Sequence, residues 1–321
     1  MGKSDDKMFV GVDLGGTNVA AGVCDAKNNV VSREKKKTKA EEGGDAVIGR
    51  ICKVIGDALE KAGLSLADIG GVGIGAPGAV DYHKGTVINA VNLRWTDFPL
   101  ADELKSKLKV PVTVDNDVNV GTWGEHVAGA AKDFDDVLGV FVGTGIGGGL
   151  ILHGQLFHGH SFTAGEIGHT ILFGDAPLGI RTLENRASRT AIVNQLKELI
   201  LSNHESKITK IVDGKLDDIR SSVLAKAIKE DDALTIEVAK RSAHYVGIAI
   251  ANTITMLSLP CAVVGGGAIE AMGDPYLKWI RQSFEEHVFP EKLRSAKILQ
   301  STLGDDAGVV GAAHLARLRL S

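Results

Sequence analysis

The sequence contains no CxxC pair. Its three cysteines, Cys24, Cys52 and Cys261, lie far apart in apolar settings, so neither a disulfide framework nor a cysteine-built zinc site is expected. A membrane-spanning run is also missing. The most apolar long stretch, Val246 to Ala268, is broken by Asn252, Pro260 and the glycines at 265 to 267, and predicts a buried helix followed by a buried strand. Nor is there an excess of positive charge. The 36 Lys and Arg residues against 40 Asp and Glu leave a net charge of −4, which gives no overall field for nucleic acid or an anionic membrane. The one basic run, Arg33 to Lys39 (REKKKTK), reads as a strand end or solvated loop without a role. The opening MGKSDDKM has no apolar leader, and Asp6 stands where the myristoylation pattern needs Ser or Thr. No GxxxxGK[ST] occurs, which excludes a P-loop. With 321 residues, 44% hydrophobic and 24% charged, the expectation is a soluble, cytoplasmic chain of about two domains.

What is present is organised around Phe9 to Asn18, FVGVDLGGTN. An apolar strand runs into Asp13, the glycines Gly15 and Gly16 turn the chain, and Val19 to Cys24 forms a second strand. The pattern predicts a β-hairpin. An ordinary hairpin would explain it, but a glycine turn also lets backbone N–H groups nest an anion. Thr17 adds a hydroxyl there, and Asp13 can reach a hydrated cation. The chain then repeats the device: Asp136 to Val142 leads into GTGIGGG (Gly143 to Gly149) and the apolar LILHG. Gly143, Gly145 and Gly148 match GxGxxG, yet a strand follows where a dinucleotide fold needs a helix. A phosphate cradle with Thr144 as a contact is the better reading. Two such hairpins suggest two related halves.

Elsewhere the periodicity predicts helices over Gly44 to Ala62, Pro99 to Leu108, Val118 to Ala128, Leu183 to Leu201, Ser221 to Lys229, Asp232 to Leu259, Tyr276 to Val288 and Ala307 to Leu318. Strands are expected at Val30 to Lys36, Gly71 to Ala76, Val110 to Val114, Cys261 to Val264 and Lys297 to Gln300. The polar stretch Ser202 to Arg220 reads as a loop excursion. VDNDVN (Val114 to Asn119) ends a strand and opens a helix, a position where ligands bind in α/β folds. Asp117 there is either a helix N-cap or a chemically active carboxylate. GEIGH (Gly165 to His169) spaces Glu166 and His169 as a metal half-site, a surface pair, or two groups for a polyol. VVGGGA (Val263 to Ala268) offers another glycine turn.

DLGGT, VDNDVN, GTGIGGG, GEIGH and VVGGGA stand in the order found in the ROK sugar kinases, and the resemblance runs from about Phe9 to the C-terminus. It implies an α/β, two-domain actin-like ATPase (ribonuclease H-like) fold with duplicated halves and a cleft between them. The small domain would be residues 1–117 with 307–321, and the large one 118–306. The implied activity is ATP-dependent phosphorylation of a hexose with Mg²⁺, glucose being favoured because Asn92-Leu93-Arg94-Trp95 resembles an NLxW pattern of glucokinase members. Other hexoses (mannose, fructose, N-acetylhexosamines) and polyphosphate as donor are alternatives. A sugar-responsive regulator is a further one, disfavoured by the acidic charge and by the eight residues before the first strand. By resemblance Asp117 is the catalytic base. Gly78, Asn92, Asn116, Glu166, His169 and Glu184 would bind the sugar. Asp13, Gly15, Gly16, Thr17, Asn18, Thr144, Gly145, Gly265, Gly266 and Gly267 would bind ATP, with Asp13 serving Mg²⁺ directly or through water. Asp115 replaces the family's Glu and is assigned a structural job. The family's zinc module, CxCGxxGCxE, is replaced by Asp175 to Glu184 (DAPLGIRTLE), with Asp175, Pro177 and Thr182 at the cysteine positions. No zinc is therefore expected; His169, a zinc ligand in relatives, would keep its sugar contact while other packing orders the loop. A homodimer is implied, without nucleic-acid or membrane partners.

Overall fold

A computed structural model describes residues 7–320. The leader and myristoylation readings fall on the opening residues, outside those described. Two compact units divide the chain. Unit 1 takes the chain up to Asp135, Gly149–Ala164 and the stretch from Asp305 onward; unit 2 takes Asp136–Gly148 and Gly165–Gly304.

In unit 1, β1 (Met8–Leu14), β2 (Asn18–Cys24) and β3 (Val30–Lys37) form an antiparallel meander. Helix α1 (Gly44–Lys61) buries Val47, Ile48, Ile51, Val54, Ile55, Ala58 and Leu59, the apolar stripe of its 3.6-residue period, against β2 and β3. Then come β4 (Ile69–Ala76), a small antiparallel sheet of β5 (Ala79–Asp81), β6 (Thr86–Ala90) and β7 (Trp95–Phe98), and α2 (Leu100–Leu108). β8 (Val112–Asn116) and α3 (Asp117–Ala128) follow. The main sheet has the order β3-β2-β1-β4-β8, with β1, β4 and β8 mutually parallel. The basic run is not idle: Arg33 and Lys35 pair with Asp305, Arg33 also with Asp306, and Lys36 with Asp57 at 2.5 Å.

Unit 2 opens with β9 (Val137–Val142). β10 (Ile146–Leu152) starts inside the glycine run rather than after it, and ends in unit 1 beside β11 (Gln155–Leu156). The single helix predicted over Leu183 to Leu201 is broken. Ser188 is extended (φ −64°, ψ 161°) and separates α4 (Leu183–Ala187) from α5 (Arg189–Leu201). Its hydroxyl accepts from the Ala191 N–H at 3.2 Å, and Ser242 donates to the Ala187 carbonyl at 2.7 Å. Periodicity misses such a break because the apolar pattern continues through it. The excursion after Leu201 holds a short α6 (Ile208–Ile211); then come α7 (Ser221–Lys229), α8 (Ala233–Leu257) and β12 (Cys261–Gly265). Helix α9 (Gly267–His287) begins well before the predicted Tyr276, with a kink at Gly273 (φ 63°), two residues ahead of Pro275. β13 (Lys297–Gln300) and α10 (Ala307–Leu320) complete the chain. The second sheet, β11-β10-β9-β12-β13, repeats the order of the first. Among the described residues no helix is long and apolar enough to cross a membrane.

α10 lies on β1 and β4, and glycine makes the approach possible. A Cβ on Gly11 would sit 1.8 Å from the Val309 carbonyl oxygen, and one on Gly73 1.9 Å from that of Ala312. Backbone rather than a flexible side chain blocks the space, so relief requires moving the helix. Gly11→Val is expected to destabilise by about 3 kcal/mol or more, read as a fall in Tm or loss of soluble protein.

Candidate functional site

β8 delivers VDN to the edge of its sheet, and the chain turns into a helix at once. Asn116, not Asp117, is the N-cap: its Oδ1 accepts from the N–H groups of Val118 (2.9 Å) and Asn119 (3.0 Å). Its Nδ2 donates to the Gly78 carbonyl (2.9 Å) and to Asp117 Oδ1 (3.1 Å). All four hydrogen-bonding capacities of Asn116 are thus used within the chain, so a sugar hydroxyl would reach this side chain only by displacing one. Gly78 has φ 84°, and a Cβ there would meet the Asn89 carbonyl oxygen at 2.0 Å. Only glycine fits. Asp117 is half-buried at the first position of α3, its Oδ1 also accepting from Val118 N–H at 2.9 Å.

Asp115, two residues earlier, faces away from this turn into protein. It is 2% exposed. Oδ1 accepts from Asn116 N–H (2.8 Å) and Asn119 Nδ2 (3.2 Å); Oδ2 accepts from Arg319 Nη2 (2.6 Å) and His158 Nε2 (2.8 Å). Tyr82 stacks on the His158 ring at 3.9 Å, and the Arg319 guanidinium lies 4.8 Å from the Tyr82 ring centre. Burial pushes the Asp115 carboxyl up, but the His158 hydrogen bond and the Arg319 charge outweigh it and hold the group below the usual carboxylate range.

The first glycine turn closes through Gly15 N–H to Asn18 O (2.9 Å). Thr38 clamps it from β3's end, donating its hydroxyl to Gly15 O (2.6 Å) and its N–H to Thr17 O (2.9 Å). Asn92 lies over Gly16, where a Cβ would approach its own Cβ to 3.1 Å. Asp13 at the end of β1 keeps an accessible edge beside Gly308 in the first turn of α10. Burial and the nearby Asp305 push its carboxyl up, against Lys35 and Arg33, which lower it. Its side chain makes no hydrogen bond or short ion pair among the described residues. A poorly solvated carboxylate with free oxygens is a donor that suits Mg²⁺ or its water shell.

In unit 2 the turn at Gly143 to Gly145 is held from below by α5. Arg189 N–H donates to Gly143 O (2.9 Å), Arg189 Nη2 to Thr144 Oγ1 (2.8 Å) and Thr190 Oγ1 to Thr144 O (2.7 Å). Glu184 meets the same turn: its Oε2 accepts from Ile146 N–H at 2.8 Å, and a Cβ on Gly145 would lie 2.2 Å from it. The third glycine turn abuts the second. Gly266 (φ 92°) presses on the Val142 backbone, Gly265 on Phe141 and Ser301, and Gly267 opens α9. Glu166 caps a short 3-10 turn that His169 ends, and the two side chains are exposed side by side, 3.9 Å apart. The segment that follows is ordered without thiolates. Leu172 N–H and Phe173 N–H donate to Arg181 O, Arg186 Nε donates to Ile180 O (3.0 Å), and the Arg186 guanidinium covers the Phe173 ring at 5.0 Å. Thr182, at a cysteine position, caps α4 through Asn185 N–H. With Asp175 and Pro177 at the other cysteine positions, the donor set beside His169 does not fit tetrahedral zinc.

The sequence profile of the ROK family matches residues 9–319. The chain belongs to the ROK family. Glucokinase of Halalkalibacterium halodurans is 35% identical over 97% of this chain and 96% of its own length. A xylose repressor of Caldicellulosiruptor bescii is 30% identical over 94% of this chain and 76% of its own length. Among solved structures, the ROK family glucokinase from Streptomyces griseus, in complex with glucose and AMPPNP, superposes with a TM-score of 0.87 at 33% identity, covering 97% of this chain and 99% of that one. The fold is the actin-like ATPase fold read from the motif order. For this ROK chain, the structure gathers Gly78, Asn116 and Asp117 at one turn, and Thr144, Gly145 and Glu184 at another. Glu184, expected at the sugar, has one carboxylate oxygen on the Ile146 N–H beside the glycine turn. Sequence reasoning missed Thr38, His158, Arg189 and Arg319, since each acts by a contact distant in sequence.

Proposed function

We propose that this chain is an ATP-dependent hexose kinase, a glucokinase that phosphorylates the 6-hydroxyl of D-glucose. The observation that carries the reading is Asp117, held at the strand-to-helix turn by Asn116 and through it by Gly78. The likeness to two glucokinases supports the substrate. Asp117 would accept the proton of the 6-hydroxyl as that oxygen attacks the γ-phosphorus of ATP and ADP leaves. Glu166, His169, Glu184 and Asn92 would orient the sugar by hydrogen bonds, and Asn116 would join them by exchanging one of its internal hydrogen bonds for a sugar hydroxyl. The backbone of Gly15 to Asn18 and of Thr144 and Gly145 would cradle the phosphates, with Gly265 to Gly267 against the nucleoside. Mg²⁺, when bound, neutralises phosphate charge; Asp13 is the residue that would hold it or its water. Arg189 would add a fixed cation behind Thr144.

The test is a coupled ADP-release assay with ATP, Mg²⁺ and a panel of hexoses. Turnover on glucose above the other sugars is expected. Preference for another hexose replaces the substrate and keeps the chemistry, whereas inactivity with every sugar and with polyphosphate removes the kinase reading. The repressor relative makes a sugar-responsive regulator the second reading, and sugar-sensitive retardation of DNA without turnover would favour it. Arg189→Gln is expected to raise the KM for ATP about tenfold, the value of one charge-assisted hydrogen bond, with the KM for glucose nearly unchanged in the same assay.

A further inference from the structure

A cluster of metal-ligating side chains lies in unit 2, on the paired helices α8 and α9. His244 from α8 and Glu286 and His287 from α9 each present a ligand atom, and these atoms lie within 4.8 Å of one another. His244 and Glu286 border a cleft of about 310 Å³ whose walls also include Lys240, Trp279, Gln282 and Ser283. The two imidazole rings stand at 71° with centres 5.1 Å apart.

Ser283 fixes the chemistry of both rings. Its backbone carbonyl faces His287 Nδ1 at 2.7 Å. A carbonyl only accepts, so Nδ1 carries the proton and a neutral ring has its lone pair at Nε2. The Ser283 hydroxyl donates to the His244 carbonyl at 2.8 Å, which leaves its oxygen to accept from His244 Nδ1 at 3.1 Å. His244 is thereby held in the same tautomer. A ligand histidine whose second nitrogen donates to an oxygen is the arrangement that orients imidazole toward a metal and raises its basicity. Gln282 Nε2 donates to Glu286 Oε1 at 2.9 Å and leaves Oε2 for coordination. His287 is also in the last turn of α9, where helix carbonyls favour a cation. Lys240, in the cleft wall, has its ammonium 5.4 Å from the centre of the Trp279 ring.

We propose that His244, Glu286 and His287 bind a divalent transition metal of the zinc type, through both Nε2 atoms and one carboxylate oxygen, with water completing the shell. Two imidazoles and one carboxylate suit Zn²⁺ or Co²⁺ and disfavour Mg²⁺ or Ca²⁺. The metal would cross-link α8 to α9, the helices on either side of β12 in the chain. This site is separate from His169 and uses no residue assigned to sugar or nucleotide.

The test is titration of the chelator-stripped full chain with Zn²⁺ by calorimetry, and with Co²⁺ by its visible absorption. His244→Ala, His287→Ala and the unchanged protein are compared, with Tm recorded at each point. All three groups are at least partly exposed, so both variants should fold. The expected result is one equivalent bound by the unchanged protein, a raised Tm, and affinity weakened by about tenfold to a hundredfold or more in each variant. No binding by the unchanged protein, or binding by both variants as tight as that of the unchanged protein, overturns the proposal.

Discussion

Asp117→Asn should lower kcat by about a hundredfold or more while glucose binding stays close to that of the unchanged protein. The amide is nearly the same shape as the carboxylate and keeps an oxygen for the Val118 N–H at the start of α3. What it loses is the capacity to take a proton, a loss felt in the transition state and not in the ground state. The hydrogen bond from Asn116 to Asp117 also survives the change, so the turn should hold its form. Single-turnover kinetics with glucose and ATP, beside binding of glucose alone, separate the two effects. Turnover near that of the unchanged protein would remove Asp117 from the chemistry and return it to the role of a first-turn helix residue.

Asp115→Ala is the second large effect, and it acts on stability. The carboxylate receives Arg319, His158, Asn119 and the Asn116 backbone, and its removal strands a guanidinium and an imidazole against a cavity. Truncating one partner of a buried pair costs about 3–5 kcal/mol; the partial exposure of Arg319 (22%) places this case at about 2–4 kcal/mol. Its pH signature follows from the direction of the shift. The folded-state pKa is depressed, so the stabilisation is complete above the ordinary value of 3.8 and fades as pH falls through the lower, folded-state value. Tm measured from pH 7 to pH 3 should show a wide gap between Asp115→Ala and the unchanged protein at neutral pH, narrowing in the acid range. A gap that stays constant down to pH 3 would assign the loss to cavity formation alone. Because Asp115 also accepts from the Asn116 backbone, a fall in kcat should accompany the loss of stability.

The sequence was most informative where function demands an unusual backbone. Gly15-Gly16, Gly143 to Gly149 and Gly265 to Gly267 show in a single chain because each is a run of glycines bounded by apolar strands, and their order named the family. Asp117 and Glu166 stood out as candidates for the same reason, as part of short motifs. Side chains that reach the site from far along the chain were not. His158 and Arg319 meet Asp115 from positions 43 and 204 residues away, and nothing local distinguishes either from a surface residue. The break at Ser188 was hidden because Leu183, Ala187, Ile192 and Leu196 keep an apolar rhythm across it. The roles of Asn116 and Asp117 at the helix start were close enough in chemistry that only geometry separates them. The absence of cysteines foretold that the loop from Thr170 to Thr182 must be held by other means. That Arg181 and Arg186 do it could not be read from spacing.

α10 follows unit 2 in the chain and packs on β1 and β4, which precede it: Gly11 lies under Val309, and Gly73 under Ala312. The whole of unit 2 is synthesised between them. Contacts between such remote segments form slowly, since the intervening chain must be brought to closure. Unit 1 therefore reaches the ribosome's exit with its central strands unroofed, while unit 2 from Gly165 to Gly304 emerges in one continuous stretch and can mature first. A nascent chain that stalls before Asp305 would display the apolar underside of β1 and β4 to chaperones and proteases.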